Sequence, residues 1–237
     1  MGDTFPASSN VPPLPPPSAP GSSSLRGDEA AEQLRTALAR WWAVLRGMGS
    51  PAPDNARPGL PEDEVRRRLG EVGLIAPVEV LTWFAWHDGI EVRQRRDGQR
   101  PPPWPFTDWD VGPNRRPFSL REALSLYTDF VAPGVEVYND HPGWLPLVER
   151  VNGVAVVARC GLTGESAPAQ RVDEPSAVTL WYVDDGLRQP AGSLAQVVRA
   201  WTVLLDGGPW VPDPHEPGWV GPPLNKVYPD WYPTHLL

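Results

Sequence analysis

Four histidines and one cysteine are the residues of this chain best suited to proton-transfer or nucleophilic chemistry. Two histidines stand beside a carboxylate: His87 precedes Asp88, and His141 follows Asp140. Such groups relay protons when they meet in space, but neighbours in sequence do not face each other on a helix. His87 falls where a helical pattern ends, and the dipole there would favour a partly charged imidazole, so it reads as structural. His141 sits in Asn139-Asp-His-Pro-Gly143, a composition that turn chemistry accounts for. His215 and His235 are too far apart to propose as a metal pair. Cys160 closes an apolar run with nothing nearby to lower its pKa, which describes a small buried hydrophobe. One thiol makes neither an internal disulfide nor a cysteine-based metal cluster, and points to a reducing, cytoplasmic setting. The sequence holds no GxSxG, HExxH, phosphate-loop or dinucleotide fingerprint. No catalytic, cofactor-binding or metal-ligating residue is therefore assigned.

The elements that would position these residues follow from the apolar spacing. Leu34, Leu38, Trp41, Trp42 and Leu45 mark a helix near 28–47, with Asp28 and Glu29 at its positive end. Residues 51–61 read as a linker. Pro61-Glu-Asp-Glu64 opens one short helix and Pro77 another, whose apolar face includes Val80, Leu81, Trp83 and Phe84. The second stops at Trp86-His87-Asp88-Gly89, with Gly89 free to take the left-handed conformation of a helix end. Ile90 and Val92 suggest a short strand, and 98–118 a long loop. Ser119-Leu-Arg-Glu122 and Ser193-Leu-Ala-Gln196 are capping-box patterns that each start a helix. Between them lie strands: Trp144 through Val151, the dipeptide Asn152-Gly153, Val154 to Ala158, and Ala177 to Val183 before Asp184-Asp185-Gly186. Asn-Gly tolerates positive φ in a tight turn, so the first two form a hairpin. Helices, a loop, a helix, a strand cluster and a final helix make an α+β fold with a mainly antiparallel sheet.

Composition sets the remaining bounds. The chain has 237 residues, 32 of them proline, enough for one domain with extensions. Residues 1–27 hold 7 Pro, 6 Ser and 3 Gly and read as a disordered tail, with PxxP spacing inside Val11 to Pro17. The domain is expected over 28–207, followed by an irregular Pro/Trp-rich arm over 208–237. No apolar run is long enough to span a bilayer, and the N-terminus resembles neither a secretory signal nor a myristoylation site. Net charge is −8, which argues against a nucleic-acid binder that depends on phosphate neutralisation. Residues 100–237 carry 10 basic and 16 acidic side chains. Asp140, Glu165, Asp173, Glu174, Asp184 and Asp185 cluster around the strands and form a candidate acidic face for a basic protein partner. Trp104 and Trp109, in the loop, are candidate contact residues, because tryptophan is a favoured interface anchor.

The run Gly59-Leu-Pro-Glu-Asp-Glu-Val, then Leu69-Gly70, then Pro77-Val-Glu-Val-Leu-Thr-Trp-Phe-Ala-Trp-His-Asp-Gly89 resembles the opening of the SUKH superfamily. That family includes fungal regulators of cell-wall synthesis and bacterial immunity proteins. The Ser119 helix, the Trp144-Leu-Pro-Leu strand and the Ser193 helix match in order, so the resemblance spans about 57–207. The chain departs from the family where a Gly-Gly-Asp turn and a strand-ending Asp-Leu are common: Asn152-Gly153-Val154 and Ala158-Arg159-Cys160 stand there. The resemblance implies a compact α+β domain with a curved sheet and flanking helices that binds protein and turns over no substrate. A cytoplasmic immunity protein masking a cognate toxin is the first expectation, and the basic character of many nucleic-acid-directed toxins suits the acidic face. A regulatory scaffold using the proline-rich tail is the alternative. A hydrolase or sugar-binding module using His87 or the loop tryptophans is the third.

Overall fold

The computed structural model describes residues 27–91, 111, 115–130, 142–150, 154–164, 175–182, 186–187, 192–206, 210–212 and 219–220. Helix α1, Gly27–Gly47, buries Leu34, Leu38, Trp41, Trp42 and Leu45 along one stripe. It lies against α4 (Val78–Trp86) and α6 (Leu194–Leu205). The expected linker is structured. A short helix α2, Ala52–Asn55, and a strand β1, Ala56–Pro58, fill it. β1 pairs antiparallel with β3, His87–Ile90, setting Ala56 opposite Ile90 and Pro58 opposite His87. This pairing is invisible locally because Pro58, tolerable in an edge strand, reads as a breaker. Helix α3, Glu62–Glu71, buries only Val65 and Leu69. On its solvent face Arg66 and Arg67 pair with Glu62, Glu64 and Glu71, exposed contacts that add little to stability.

The principal sheet has five strands, all antiparallel, in the order β4 (Arg115–Pro117), β5 (Trp144–Arg150), β6 (Val154–Arg159), β8 (Val178–Tyr182) and β9 (Gly186–Leu187). The pairing expected of the hairpin from Trp144 to Ala158 is present, with Trp144 opposite Arg159 through to Arg150 opposite Val154. Its Asn152-Gly153 turn lies outside the described residues. Four consecutive residues of β6, Ala155 to Ala158, are buried, so the middle of the sheet is covered on both faces. Helix α5, Leu120–Phe130, packs on β5. The loop expected at 98–118 contains β4, an edge strand that Asn-Arg-Arg-Pro gives no hint of. Two smaller ladders complete the fold: β2 (Leu74–Ile75) with β7 (Gly161–Leu162), and β10 (Val211–Pro212) with β11 (Trp219–Val220). The last ladder gives regular structure to a region expected to be irregular. One continuous apolar core runs from Leu34 to Trp210, and the architecture is α+β with open antiparallel sheets. Among the described residues no helix is long and apolar enough to cross a membrane. Residues 1–26, the proline-rich run, Val92 and residues 221–237 lie outside the description.

Candidate functional site

The chemistry-bearing segment Trp86 to Gly89 forms a corner where α4 ends and β3 begins. Helix α4 stops at Trp86, and His87 is already extended, at φ −153° and ψ 139°. Gly89, expected to close the helix, lies inside β3 with φ +73°. A Cβ there would stand 2.4 Å from the backbone nitrogen of Ser119, so the glycine serves a close approach of α5. Gly59 is placed similarly, because a Cβ on it would come within 1.8 Å of the carbonyl oxygen of Ala85. The amide of Leu60 donates to the carbonyl of Phe84. The segment Gly59-Leu60 is therefore in direct contact with the end of α4 at Phe84 and Ala85.

His87 is half-buried, and both ring nitrogens are engaged. Trp42 Nε1–H donates to His87 Nε2 at 3.0 Å, and His87 Nδ1 is 2.9 Å from the carbonyl oxygen of Arg57. An indole nitrogen only donates, so Nε2 must carry the lone pair and Nδ1 the proton. The imidazole is the neutral Nδ1–H tautomer. Burial lowers its pKa below 6.5, Arg46 lowers it further, and the Arg57 carbonyl acts in the opposite direction. The partly charged imidazole expected at a helix end is thus overturned: the ring has left the helix, and protonation would place a second N–H against the Trp42 donor. His87 and Asp88 also serve different neighbours. Asp88 Oδ1 accepts from the backbone N–H of Leu120, the first residue of α5, at 2.7 Å. The rings of Trp42 and Trp86 lie 5.4 and 4.5 Å from that of His87. Trp41 continues the stack to Trp83 and Trp201.

A second carboxylate is sealed inside. Glu79, in the first turn of α4, is 1% exposed. Its Oε2 accepts from the amides of Ser176 and Leu194 and its Oε1 from that of Ala195. Burial pushes the carboxyl above its ordinary value of 4.5, while the three donors pull the other way. Sequence reasoning did not single out Glu79; an acid amid the apolar face of Val78 to Phe84 was the available signal. Arg115 was missed as well. Its guanidinium is buried on β4, 5.1 Å from the ring of Trp201 and 4.8 Å from that of Trp210. That contact ties the start of the C-terminal arm to the core. Cys160 is buried as expected, and burial raises its pKa to about 12, so it is a protonated core thiol. Between α1 and the end of α6 lies an open groove of about 430 Å³. Its floor includes Ala43, Val44, Met48 and Leu205, and at its rim Arg40 and Asp206 pair with each other.

The candidate contact residues Trp104, Trp109, Asp140, Glu165, Asp173, Glu174, Asp184 and Asp185 all lie outside the described residues, as do His141, His215 and His235. The described residues beside the acids divide into two groups. Gly143 and Pro175 adjoin the end of the sheet where Trp144, Arg159 and Val178 stand, since Trp144 pairs with Arg159 and Ala158 with Val178, whereas Gly164 follows β7 in the smaller ladder with β2. Tyr182 and Gly186, which bracket Asp184 and Asp185, adjoin the opposite end, where Arg150 pairs with Val154. Of the seven tryptophans expected on regular elements, six are buried and Trp86 is half-buried. Trp210 is buried too. No family model matches the chain, and no curated protein matches it.

Proposed function

We propose that the chain is a SUKH-like protein-binding domain, and that it acts as an immunity protein masking a basic toxin domain in the cytoplasm, without catalysis of its own. The observation that carries this reading is how the motif residues are spent. Gly59 and Gly89 allow close backbone approaches, His87 joins Trp42 to Arg57, and Asp88 caps α5. Among the described residues, His87 and Asp88 work as braces, which favours a reading in which recognition lies on the exterior. The net charge of −8 and the acids flanking the strands support a basic partner, because opposite fields accelerate encounter and exclude like-charged competitors.

A toxin and its antidote must be made together, so the test is coexpression with the protein encoded by the adjoining gene. Neutralisation of toxicity and a stable complex are the expected results. Affinity should fall as salt rises, because exposed charges are screened. Growth arrest without rescue overturns the immunity reading, and salt-independent affinity overturns the acidic surface. Deleting residues 1–27 should leave the complex intact; its loss would shift the reading to a scaffold that docks through its proline-rich tail.

A further inference from the structure

His87 bonds to two residues that bracket one stretch of chain. Trp42 opens the stretch and Arg57 closes it, with the end of α1, the whole of α2 and the start of β1 between them. The indole N–H of Trp42 donates to Nε2 at 3.0 Å, and Nδ1–H donates to the Arg57 carbonyl at 2.9 Å. A proton treats the two bonds differently. Nδ1 keeps its hydrogen in either charge state, so the bond to Arg57 survives protonation. Nε2 accepts only while its lone pair is free, and once protonated it is a donor facing a donor.

The ring is half-buried, so solvent protons reach it. Of the charged groups on the elements around it, Arg46, one turn beyond Trp42 on α1, opposes the imidazolium. Arg57 of β1 presents its backbone carbonyl. The adjacent Asp88 is committed to the start of α5. Neither Asp54 on α2 nor Glu91 beyond β3 is among the groups that act on the ring. Glu79 sits at the far end of α4, against the start of α6. Nothing among these rewards the charged form.

We propose that the Trp42–His87–Arg57 bridge is an acid-released clasp on residues 42–57. Uptake of one solvent proton at Nε2 ends the bond from Trp42, and the edge of α1 that carries Trp42 parts from the α4–β3 corner. β1 stays attached through Arg57 and its ladder with β3. The shut form disfavours the charged ring, so opening sets in only below 6.5. The stack of Trp41 with Trp83 and Trp201 involves neither His87 nor Trp42, which keeps the change local. Opening bares the contact between the Trp42 and Trp86 rings, 4.3 Å apart, an aromatic surface that neutral pH keeps closed. The clasp stands whether or not the immunity reading holds.

The test follows the full chain by NMR as pH is lowered through 6.5, reading the His87 ring and each indole N–H. The Trp42 signal should move, and its exchange with water should quicken ~10-fold or more, on the same curve as His87. The Trp41 and Trp83 signals should hold. His87→Gln, whose side-chain oxygen accepts without titrating, should leave the Trp42 signal flat. Trp42→Phe removes the donor, so the His87 pKa should rise towards 6.5 in that variant. If His87→Gln fails to fold, the wild-type curve and Trp42→Phe still decide. The proposal is overturned if Trp42 stays unmoved while His87 titrates, or if Trp42→Phe leaves the His87 pKa where it was. It is also overturned if every indole moves together, because the domain would then be unfolding as a whole.

Discussion

The starts of α5 and α6 are built alike and stabilised differently. Each begins with a capping box: Ser119 with Glu122, and Ser193 with Gln196. Each also receives a carboxylate from the α4–β3 segment, Asp88 for α5 and Glu79 for α6. At α5 the site is half-exposed and charge helps. Arg116 bonds Glu122 and Glu149 at 2.8 Å each. Burial alone would push the Glu122 carboxyl up, but Arg116 and the Ser119 donors outweigh it and hold the carboxyl below 4.5. At α6 the site is dry, and the charge of Arg199 acts on Glu79 less than the amides do. Three backbone amides satisfy it, and burial wins. A helix start can be held by charge where water reaches it, or by converging donors where water does not.

The largest expected effect is at the dry site. Glu79→Ala leaves three buried N–H groups without acceptors and should cost about 3 kcal/mol or more. Asp88→Ala removes one half-buried cap and should cost about 1 kcal/mol. Urea unfolding of both variants checks the comparison, and equal losses would refute it. Gly89→Ala comes next. Its Cβ would meet Ser119 at a backbone φ of +73°, and a loss of about 2 kcal/mol is expected as α5 is pushed off its Asp88 cap. Retained stability would mean that the approach is soft. Ser119→Ala and Ser193→Ala should each cost about 1 kcal/mol.

What the sequence reveals tracks the distance over which each interaction acts. Both capping boxes are legible because their partners are three residues apart. The apolar run of β6 and the stripe of α1 are legible for the same reason. The carboxylates are not: Asp88 reaches 32 residues along the chain and Glu79 up to 116, and no local pattern records such a pairing. β1 and β4 are hidden by prolines that disqualify a central strand but not an edge. The half-exposed corner at Trp86 was likewise out of reach, since Trp86 shares its helical pattern with the buried Trp83. Only the packing of α1, whose Trp41 and Trp42 meet both regions of α4, decides which ring stays near solvent.

The smallest effect is also the one that separates the two sites by sign. Glu79 has a raised carboxyl, so the stability linked to its titration is full below 4.5 and is lost as pH rises through its native value. Glu122 has a lowered carboxyl, so its contribution is full above 4.5 and is lost as pH falls through its native value. Stability measured against pH for the wild type and for Glu79→Gln should therefore differ by an amount that shifts against the wild type as pH rises above 4.5. The same subtraction for Glu122→Gln should shift in favour of the wild type as pH rises towards 4.5. His87, whose lowered pKa adds a loss of stability as pH falls below 6.5, is common to all three proteins and cancels. Two differences of the same sign would mean that the donors at α6 overcome its burial, and that the two helix starts are electrostatically alike.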